Sequence, residues 1–315
     1  MRQAVIDIGT NTCLLLIAES ERIGEMNVLA DVHAIARLGA GVDKSKHIQE
    51  DAYQRLKKIL LGHKKVIDEK KVDATKAIAT SAMRDAENKD EIIQRVKDDC
   101  GFDIELLSGS DESCWSFRGA MCGLNNLKGN IAALDIGGGS MELSFGHNGS
   151  YEGGKSINIG AVRITERFLS TRNQESLESA RKFIRSEIEN DFDEHIPIDK
   201  LIAVAGTPTA IATIKLELKT FDSQKVNCTI VTQDELHIIG EEIFSLSPEE
   251  LTKKYPAVHP SRADILPAGT LILEEILKFL KMSEVQVSTC GLRFGIIIRE
   301  FEKRMNAESK AWEVQ

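Results

Sequence analysis

A short motif that occurs twice places the strongest constraint on how this chain can fold. Near the N-terminus the sequence reads Asp7-Ile8-Gly9-Thr10-Asn11-Thr12, and much later it reads Asp135-Ile136-Gly137-Gly138-Gly139-Ser140. Each copy predicts a buried strand that ends in an acid, then a glycine turn with a hydroxyl residue, then a second strand. Because glycine carries no Cβ, the backbone N–H groups of such a turn can converge on an anion. The two copies predict two related domains that face one cleft.

Composition and charge narrow the class of protein further. A chain of 315 residues with 42% hydrophobic residues is long enough for two globular domains. No apolar run is long enough to cross a membrane and the first residues lack a signal-peptide pattern, so we expect a cytoplasmic protein without a membrane partner. The net charge of −9 argues against a nucleic-acid partner, because such proteins need a basic surface. The six cysteines match no metal-ligand spacing and are expected to be free thiols.

Alternating strand and helix patterns predict an α/β chain with one domain boundary. The segment 125–130 is polar, contains a glycine and precedes the second copy of the motif. We therefore expect an N-terminal domain over residues 1–124 and a C-terminal domain over residues 125–315. The last helix, at about residues 296–312, can pack back on the N-terminal domain.

Glu112 lies in the first turn of a predicted helix. Four apolar residues of this helix share one face by their spacing: Cys114, Phe117, Met121 and Leu124. At about 100° per residue, Glu112 lies about 200° from Cys114, so we expect it to face away from the buried side. Spacing alone favours a glutamate that interacts with the helix dipole over one that projects into a cleft.

Other polar residues follow strand ends, where ligands bind in layered α/β folds. Arg84 lies between a predicted strand and a helix start. Gly206 and Thr207 follow another strand, and Thr207 is expected to be an N-cap, so that backbone N–H groups there could meet an anion. Four more arginines in or beside loops are candidates to bind an anion: Arg37, Arg163, Arg262 and Arg293.

The acids of the duplicated motif suggest a metal site. Asp7 and Asp135 occupy equivalent positions, and facing one cleft they would repel each other unless a cation lay nearby. Asp135 and Glu142 could hold a hydrated Mg²⁺, directly or through water. The alternative is that each aspartate caps the N–H groups of its own turn.

Seven motifs in a fixed order carry a resemblance to a known family. They are Asp7–Thr12, 79–88 (ATSAMRDAEN), 108–112 (SGSDE), 135–143 (DIGGGSMEL), 160–163 (GAVR), 206–207 (GT) and 262–264 (RAD). The chain resembles the exopolyphosphatase/guanosine pentaphosphate phosphohydrolase family, in the fold group of actin, hexokinase and the heat-shock ATPases. The resemblance implies an α/β fold of two actin-like (ribonuclease H-like) domains, with mixed sheets flanked by helices and the active site in the interdomain cleft.

The resemblance also implies a reaction and the residues that perform it. The family hydrolyses a terminal phosphate from inorganic polyphosphate or guanosine pentaphosphate with Mg²⁺; Mn²⁺ and K⁺ stay open as further cofactors, and a homodimer is expected. Glu112 matches the family's catalytic glutamate, which activates water, and Asp135 and Glu142 match its acidic metal and catalytic positions. The substrate-binding positions are Gly9, Thr10, Asn11, Thr12, Arg84, Gly137, Gly138, Gly139, Ser140, Gly206 and Thr207.

The chain departs from the family pattern at several positions. Leu14 replaces a basic residue after the first turn, Ser110 replaces an acid, and residues 113–114 replace Ala-Arg after Glu112. The sequence ends after two domains, without the helical domain of longer members, so the resemblance does not imply processivity on long chains. Two alternatives stay open: an actin-fold small-molecule kinase and a non-catalytic sensor of polyphosphate or nucleotide.

Overall fold

The computed structural model describes residues 1–22, 25–193 and 196–313. The chain forms two compact units. Met1–Ser108 together with the chain from Leu292 make the first unit, and Gly109–Gly291 make the second. None of the helices in these described ranges is long and apolar enough to cross a membrane.

The first unit is built on a five-stranded mixed sheet. Its strands are β1 (Arg2–Ile8), β2 (Thr12–Arg22), β3 (Glu25–Ile35), β4 (Ala74–Ala79) and β5 (Ile104–Leu106). They lie in the order β3-β2-β1-β4-β5, with β1–β2 and β2–β3 antiparallel and β1–β4 and β4–β5 parallel. Its helices are α1 (Val42–Ser45), α2 (Glu50–Glu69), α3 (Ser81–Asp85), α4 (Lys89–Cys100) and, at the end of the chain, α14 (Leu292–Glu313).

Alternate residues of β1 face the two sides of the first sheet. Ala4, Ile6 and Ile8 lie in an apolar core to which α2 and α4 contribute. Gln3 and Val5 line a cavity that residues of α14 also line, and α14 packs on β1 and β2. The sheet is covered on both sides, which explains why β1 is a continuous apolar run.

The second unit is built on a six-stranded mixed sheet. Its strands are β6 (Asn130–Ile136), β7 (Met141–His147), β8 (Ser150–Ile157), β9 (Lys200–Val204), β10 (Ile230–Thr232) and β11 (Glu284–Val287). Its helices are α5 (Gly109–Ala120), α6 (Ala161–Phe168), α7 (Gln174–Asp191), α8 (Gly206–Lys215), α9 (Ser223–Val226), α10 (Gln233–Ser245), α11 (Pro248–Lys254), α12 (Pro260–Ala263) and α13 (Leu266–Phe279).

The two sheets repeat one strand order. The second sheet runs β8-β7-β6-β9-β11-β10, so β6, β7, β8, β9 and β11 occupy the positions of β1, β2, β3, β4 and β5. The hairpin β6–β7 is antiparallel, and β9 and β11 continue parallel to β6, as in the first unit. The predicted fold class, two actin-like α/β domains with mixed sheets flanked by helices, is confirmed.

The second unit begins with helix α5, at Gly109, whereas the predicted domain boundary lies at residues 124–125. Helix α5 packs on β6, β7 and β8 and belongs to the second unit. A Cβ built on Gly154 would lie 2.3 Å from Ser113 Oγ, and one on Gly146 would lie 2.5 Å from the Phe117 ring. Because these glycines admit the helix so closely, α5 is tied to the second sheet, whereas α14 groups with the first unit.

Candidate active site

The two glycine turns share one backbone geometry. The N–H of Gly9 donates to the carbonyl of Thr12 at 2.9 Å, and the N–H of Gly137 donates to the carbonyl of Ser140 at 3.0 Å. Each hydrogen bond closes the hairpin directly after its first strand. The equivalence of the two motifs that the sequence suggested therefore extends to individual backbone atoms.

The carbonyl groups of the second turn are held by the start of α6. Ala161 N–H donates to the Gly137 carbonyl at 2.9 Å, and Val162 N–H donates to the Gly138 carbonyl at 2.8 Å. The Nε of the buried Arg163 donates to the Gly139 carbonyl at 2.8 Å. In a trans peptide the N–H points opposite to the preceding C=O. The next three N–H groups, of residues 138–140, therefore point away from α6.

The first turn is held in the corresponding way by the segment after β3. Gly39 N–H donates to the Thr10 carbonyl at 2.8 Å, while Ala36 and Arg37 N–H groups donate to the Asn11 carbonyl at 3.1 and 2.9 Å. The same peptide geometry directs the N–H groups of the turn away from this segment. Each unit thus presents a turn whose carbonyls are engaged and whose donors face outward, as a phosphate site requires.

Close backbone packing fixes the second turn. A Cβ on Gly160 would lie 2.3 Å from the carbonyl carbon and oxygen of Gly138 and 2.4 Å from the nitrogen of Gly139. Real Cβ atoms do not approach backbone so closely, so only glycine fits at position 160. The residue just before α6 therefore determines where the turn lies.

The acids of the two hairpins differ in their surroundings. Asp135 and Glu142 are directly opposite each other in the β6–β7 ladder, whereas Asp7 is opposite Leu14 in the β1–β2 ladder. Directly opposed side chains of an antiparallel pair lie on the same face of the sheet. The second hairpin therefore carries a pair of carboxylates at its turn, and the first carries a single one.

Two serine hydroxyls hold the buried Glu142. Ser140 Oγ donates to Glu142 Oε1 at 3.0 Å, and Ser156 Oγ of β8 donates to the same oxygen at 2.6 Å. Only 1% of the Glu142 surface is exposed. Hydrogen bonds of this kind stabilise a buried carboxylate, so Glu142 is fixed against the turn.

The donor set of the second hairpin fits a hydrated divalent cation. Mg²⁺ is usually held by one or two carboxylates together with water and substrate phosphates. Asp135 and Glu142 offer two carboxylates on one face of the sheet beside a phosphate-type turn. Among the described residues no group of three His, Cys, Asp or Glu side chains could hold a metal alone. These residues would therefore hold Mg²⁺ jointly with a phosphate ligand.

Glu112 lies on helix α5, in the same unit as the second turn. The prediction that Glu112 faces away from the buried side of its helix is wrong. The Glu112 side chain is 6% exposed and lies on the buried side of α5. The buried face is formed mainly by small residues, Ser113, Ser116, Gly119 and Ala120, together with Phe117. The prediction gave weight to the large apolar residues, whereas close packing on Gly146 and Gly154 selects the small ones.

Asp135 points to the side of the second sheet that α5 covers. Ile131 and Ala133, at alternate positions of β6, pack in the apolar cluster that contains Phe117 and Ala120, and Asp135 continues that alternation. Ser116 Oγ donates a hydrogen bond to Asp135 Oδ2. Burial raises the pKa of Asp135, and the hydrogen bond from Ser116 opposes this by stabilising the carboxylate.

Arg84 lies at the carboxyl end of the first sheet. It belongs to α3, directly after β4, and its Nη1 donates to the Leu107 carbonyl at 3.2 Å. The Leu107 N–H in turn donates to the Ala79 carbonyl at 3.0 Å. The half-buried guanidinium is thereby placed where β4 and β5 end, as a strand-end ligand site requires.

Gly206 and Thr207 begin α8, but the predicted N-cap is wrong. The N-cap is Ala205, and no side chain caps the helix. Ala205 has φ 74° and ψ −165°, a conformation that residues with a Cβ rarely adopt. A Cβ on Gly206 would overlap the Arg262 guanidinium. The strained turn and this close packing place the helix start before the position that an N-cap at Thr207 would give.

Arg163 and Arg293, two of the other candidate arginines, make contacts that support the fold. Arg163 supports the second turn, as described above. Arg293 of α14 donates to Asp31 of β3 at 2.5 Å, and His33 lies 3.0 Å from the same carboxylate. Burial alone would raise the pKa of Asp31, but the hydrogen bonds from His33 and Arg293 lower it to about 2. Arg293 therefore ties α14 to the first sheet.

Sequence reasoning named Ser140 but missed the other two serines that hold the acids, Ser116 and Ser156. Ser116 follows Glu112 by four residues, so helical spacing could have placed both on one face. Ser156 is opposite Glu142 in the β7–β8 ladder, and that register has no local sequence signal because a β-bulge at Glu152 intervenes. The first serine could have been found, and the second depends on tertiary pairing.

Comparisons with known proteins agree with this arrangement. The Ppx/GppA phosphatase family matches residues 16–304. A bifunctional 3-dehydroquinate synthase/phosphatase of Fusobacterium nucleatum is 33% identical over 96% of this chain, which spans only 47% of that protein. Exopolyphosphatase 2 of Mycobacterium tuberculosis is 28% identical, with 94% of this chain and 98% of that protein covered. The crystal structure of the Aquifex aeolicus Ppx/GppA family member superimposes with a TM-score of 0.82 at 29% identity, covering 96% and 98% of the two chains. This chain belongs to the Ppx/GppA phosphatase family.

Proposed function

We propose that this chain is an exopolyphosphatase-type hydrolase that releases terminal orthophosphate from inorganic polyphosphate, guanosine pentaphosphate or both. The observation that carries the proposal is the position of Glu112. It is buried on α5, one helical turn before Ser116, which binds Asp135 beside the second glycine turn. A relative named exopolyphosphatase 2, matched over 98% of its length, supports this substrate class.

The glycine turns are proposed to bind the phosphate oxygens. The outward N–H groups of residues 138–140 would donate to the terminal phosphoryl group, and the turn at residues 9–12 and Arg84 would neutralise further phosphate charge. The N-terminus of α8 at Gly206 and Thr207 offers further backbone donors. Phosphoryl transfer depends mainly on such positioning and charge stabilisation.

Glu112 is proposed to activate the attacking water. Its carboxylate accepts a proton as the water oxygen forms a bond to the terminal phosphorus. The bond between that phosphorus and the bridging oxygen breaks, and the bridging oxygen keeps the electron pair on the shortened chain. Because α5 is packed closely on the second sheet, the carboxylate is held at a fixed position relative to the turn.

Asp135 and Glu142 are proposed to hold Mg²⁺ together with the substrate phosphates, with Asp7 as a further metal-binding acid in the first unit. Bound Mg²⁺ would reduce the negative charge on the phosphate oxygens and so ease the approach of water. Mn²⁺ could occupy the same carboxylates, which are hard oxygen ligands. A K⁺ requirement is tested by replacing K⁺ with Na⁺ in the assay buffer.

The proposal includes a cytoplasmic homodimer. The acidic chain of net charge −9 is not expected to bind nucleic acid. Light scattering on the purified chain measures the assembly, and a mass of twice 34.8 kDa is the expected result. A monomer would contradict this part of the proposal and leave the hydrolytic reaction standing.

A phosphate-release assay tests the reaction. The purified protein is incubated with polyphosphate of several lengths or with guanosine pentaphosphate, with and without Mg²⁺, and orthophosphate is measured. We expect release that requires the cation. Phosphorylation of a small molecule by ATP, without simple hydrolysis, would favour the kinase instead. Tight polyphosphate binding without release at any metal concentration would favour a non-catalytic sensor.

A further inference from the structure

We propose that Ser116 is a positioning residue for Asp135 and thereby links the acid of the second turn to the helix that carries Glu112. The proposal rests on the function proposed above and goes beyond the roles that the family motifs assign, since the motif residues stop before position 116. It is carried by one hydrogen bond, from Ser116 Oγ to Asp135 Oδ2.

Helical spacing places Ser116 and Glu112 on the same side of α5. Residues four apart are neighbours on a helix surface, and both side chains are buried, with Ser116 2% exposed. The hydroxyl reaches Asp135 one turn after Glu112. Glu112, the proposed base, and Ser116, which holds Asp135, are therefore separated by one turn of α5.

The packing around the pair makes the hydrogen bond specific. Helix α5 is held by its close approach to Gly154 and by the hydrogen bond from Ser144 Oγ to the Ser113 carbonyl at 3.2 Å. Gly291 lies close to the same carboxylate oxygen, since a Cβ built there would be 4.0 Å from Asp135 Oδ2. Within the described parts of the chain, Ser116 is the side chain that donates to Asp135, so its hydroxyl is the group that orients this carboxylate.

A carboxylate without this donor would lose its fixed orientation. Partners that orient a metal-binding or reacting group contribute to affinity and rate although they do not touch the substrate. Removing the Ser116 hydroxyl should therefore affect both the rate and the affinity for Mg²⁺, because both depend on where Asp135 points.

The test compares S116A with S113A. Ser113 lies on the same helix, is fully buried, and its Oγ has no hydrogen-bond partner among the described residues, so the two variants remove the same atom from one helix. S116A should lower kcat about tenfold or more and raise the Mg²⁺ concentration needed for half-maximal rate. S113A should match the wild type. S116T, which keeps a hydroxyl, should retain more activity than S116A, and it is the test variant if S116A does not fold.

A binding measurement separates this proposal from the proposed function. Mg²⁺ is titrated by calorimetry into wild type, S116A and S113A in the presence of orthophosphate. Weaker binding by S116A alone supports the positioning role, even if no variant hydrolyses polyphosphate. Equal kcat and equal Mg²⁺ affinity in S116A and S113A would overturn it, as would a wild type that binds no Mg²⁺. Failure of the wild type to release phosphate overturns only the proposed function.

Discussion

The two hairpins of this molecule have the same backbone but different chemistry. Both turns close with a hydrogen bond from the first glycine to the carbonyl of the hydroxyl residue, at 2.9 and 3.0 Å. In the second hairpin Asp135 is opposite Glu142, and in the first Asp7 is opposite Leu14. Both turns therefore share one backbone geometry, whereas a pair of opposed carboxylates lies only at the second.

The helices that pack beside the two hairpins also carry different side chains to their sheets. Helix α5 brings Glu112 and Ser116 to the second sheet, and Ser116 binds the acid of the turn. The start of α14 instead brings Arg293 to the first sheet, where it pairs with Asp31. Asp135 and Glu142 of the second unit lie at the ends of its turn, whereas the Arg293–Asp31 contact of the first unit holds a helix. A duplicated fold can thus keep one backbone geometry in both copies while the side chains around it differ.

Removing the aspartate of each hairpin should show the largest difference between the two hairpins. D135N should lower kcat/KM at least about a hundredfold, because it removes one of two opposed carboxylates that are proposed to hold Mg²⁺. D7N should cause a smaller loss, about tenfold, since Leu14 leaves that hairpin with one acid. Phosphate release under Mg²⁺ saturation measures both. Equal losses would show that the two acids act alike and would contradict the asymmetry.

Adding a Cβ beside each turn should have an intermediate effect. In G160A the new atom would lie 2.3 Å from backbone atoms of Gly138, and in G39A it would lie 2.2 Å from Thr10 Cγ2. Backbone must shift in the first case, whereas a side chain can move in the second. We expect G160A to lower the free energy of unfolding by about 1–3 kcal/mol and to raise KM, with a smaller effect for G39A.

G153A provides the control for this comparison. Gly153 lies on β8, and a Cβ there would meet no atom within 4 Å. It should leave both stability and KM unchanged, as measured by urea unfolding and by phosphate release. If G160A behaved like G153A, the close packing at position 160 would not determine the position of the turn.

The ion pair of the first unit should have the smallest effect, on stability alone. The Asp31 pKa of about 2 lies below its unfolded value of about 3.9. The stabilisation is therefore complete above about pH 4 and is lost as the pH falls toward about 2. At pH 7, D31N should cost about 1 kcal/mol, discounted because the Asp31 side chain is 38% exposed.

Urea unfolding at pH 7 and near pH 2 measures this effect. The difference between D31N and wild type should disappear near pH 2, and kcat should be the same in both. D103N, which removes an exposed partner of Lys97, should match the wild type at either pH. A loss of kcat in D31N would show that this contact serves the reaction as well as the fold.

The sequence predicted the parts of the site that depend on local backbone chemistry. The glycine turns that follow the apolar strands are predicted by residue type and order. The orientation of Glu112 could not be predicted, because it depends on the small residues by which α5 packs on Gly146 and Gly154 of a sheet formed later in the chain. The expectation that the two turns face one cleft stays a prediction.

The observed boundary between the two units also depends on how α5 packs, which the local sequence does not show. The polar segment 125–130 is a typical linker by composition, yet α5 precedes it and belongs to the second unit. Composition reports where the chain is exposed, and the contacts of α5 with β7 and β8 determine which unit it joins. The serines that hold Asp135 and Glu142 depend on the same tertiary contacts.

Phosphate release by E112Q tests most directly whether the second unit carries the reaction. The control is D111N, which changes the neighbouring, exposed acid of the same helix turn. E112Q should lose at least about a hundredfold in kcat on polyphosphate, because an amide cannot accept the proton from water, while D111N should stay within about twofold of wild type. Equal rates for E112Q and wild type would contradict the account.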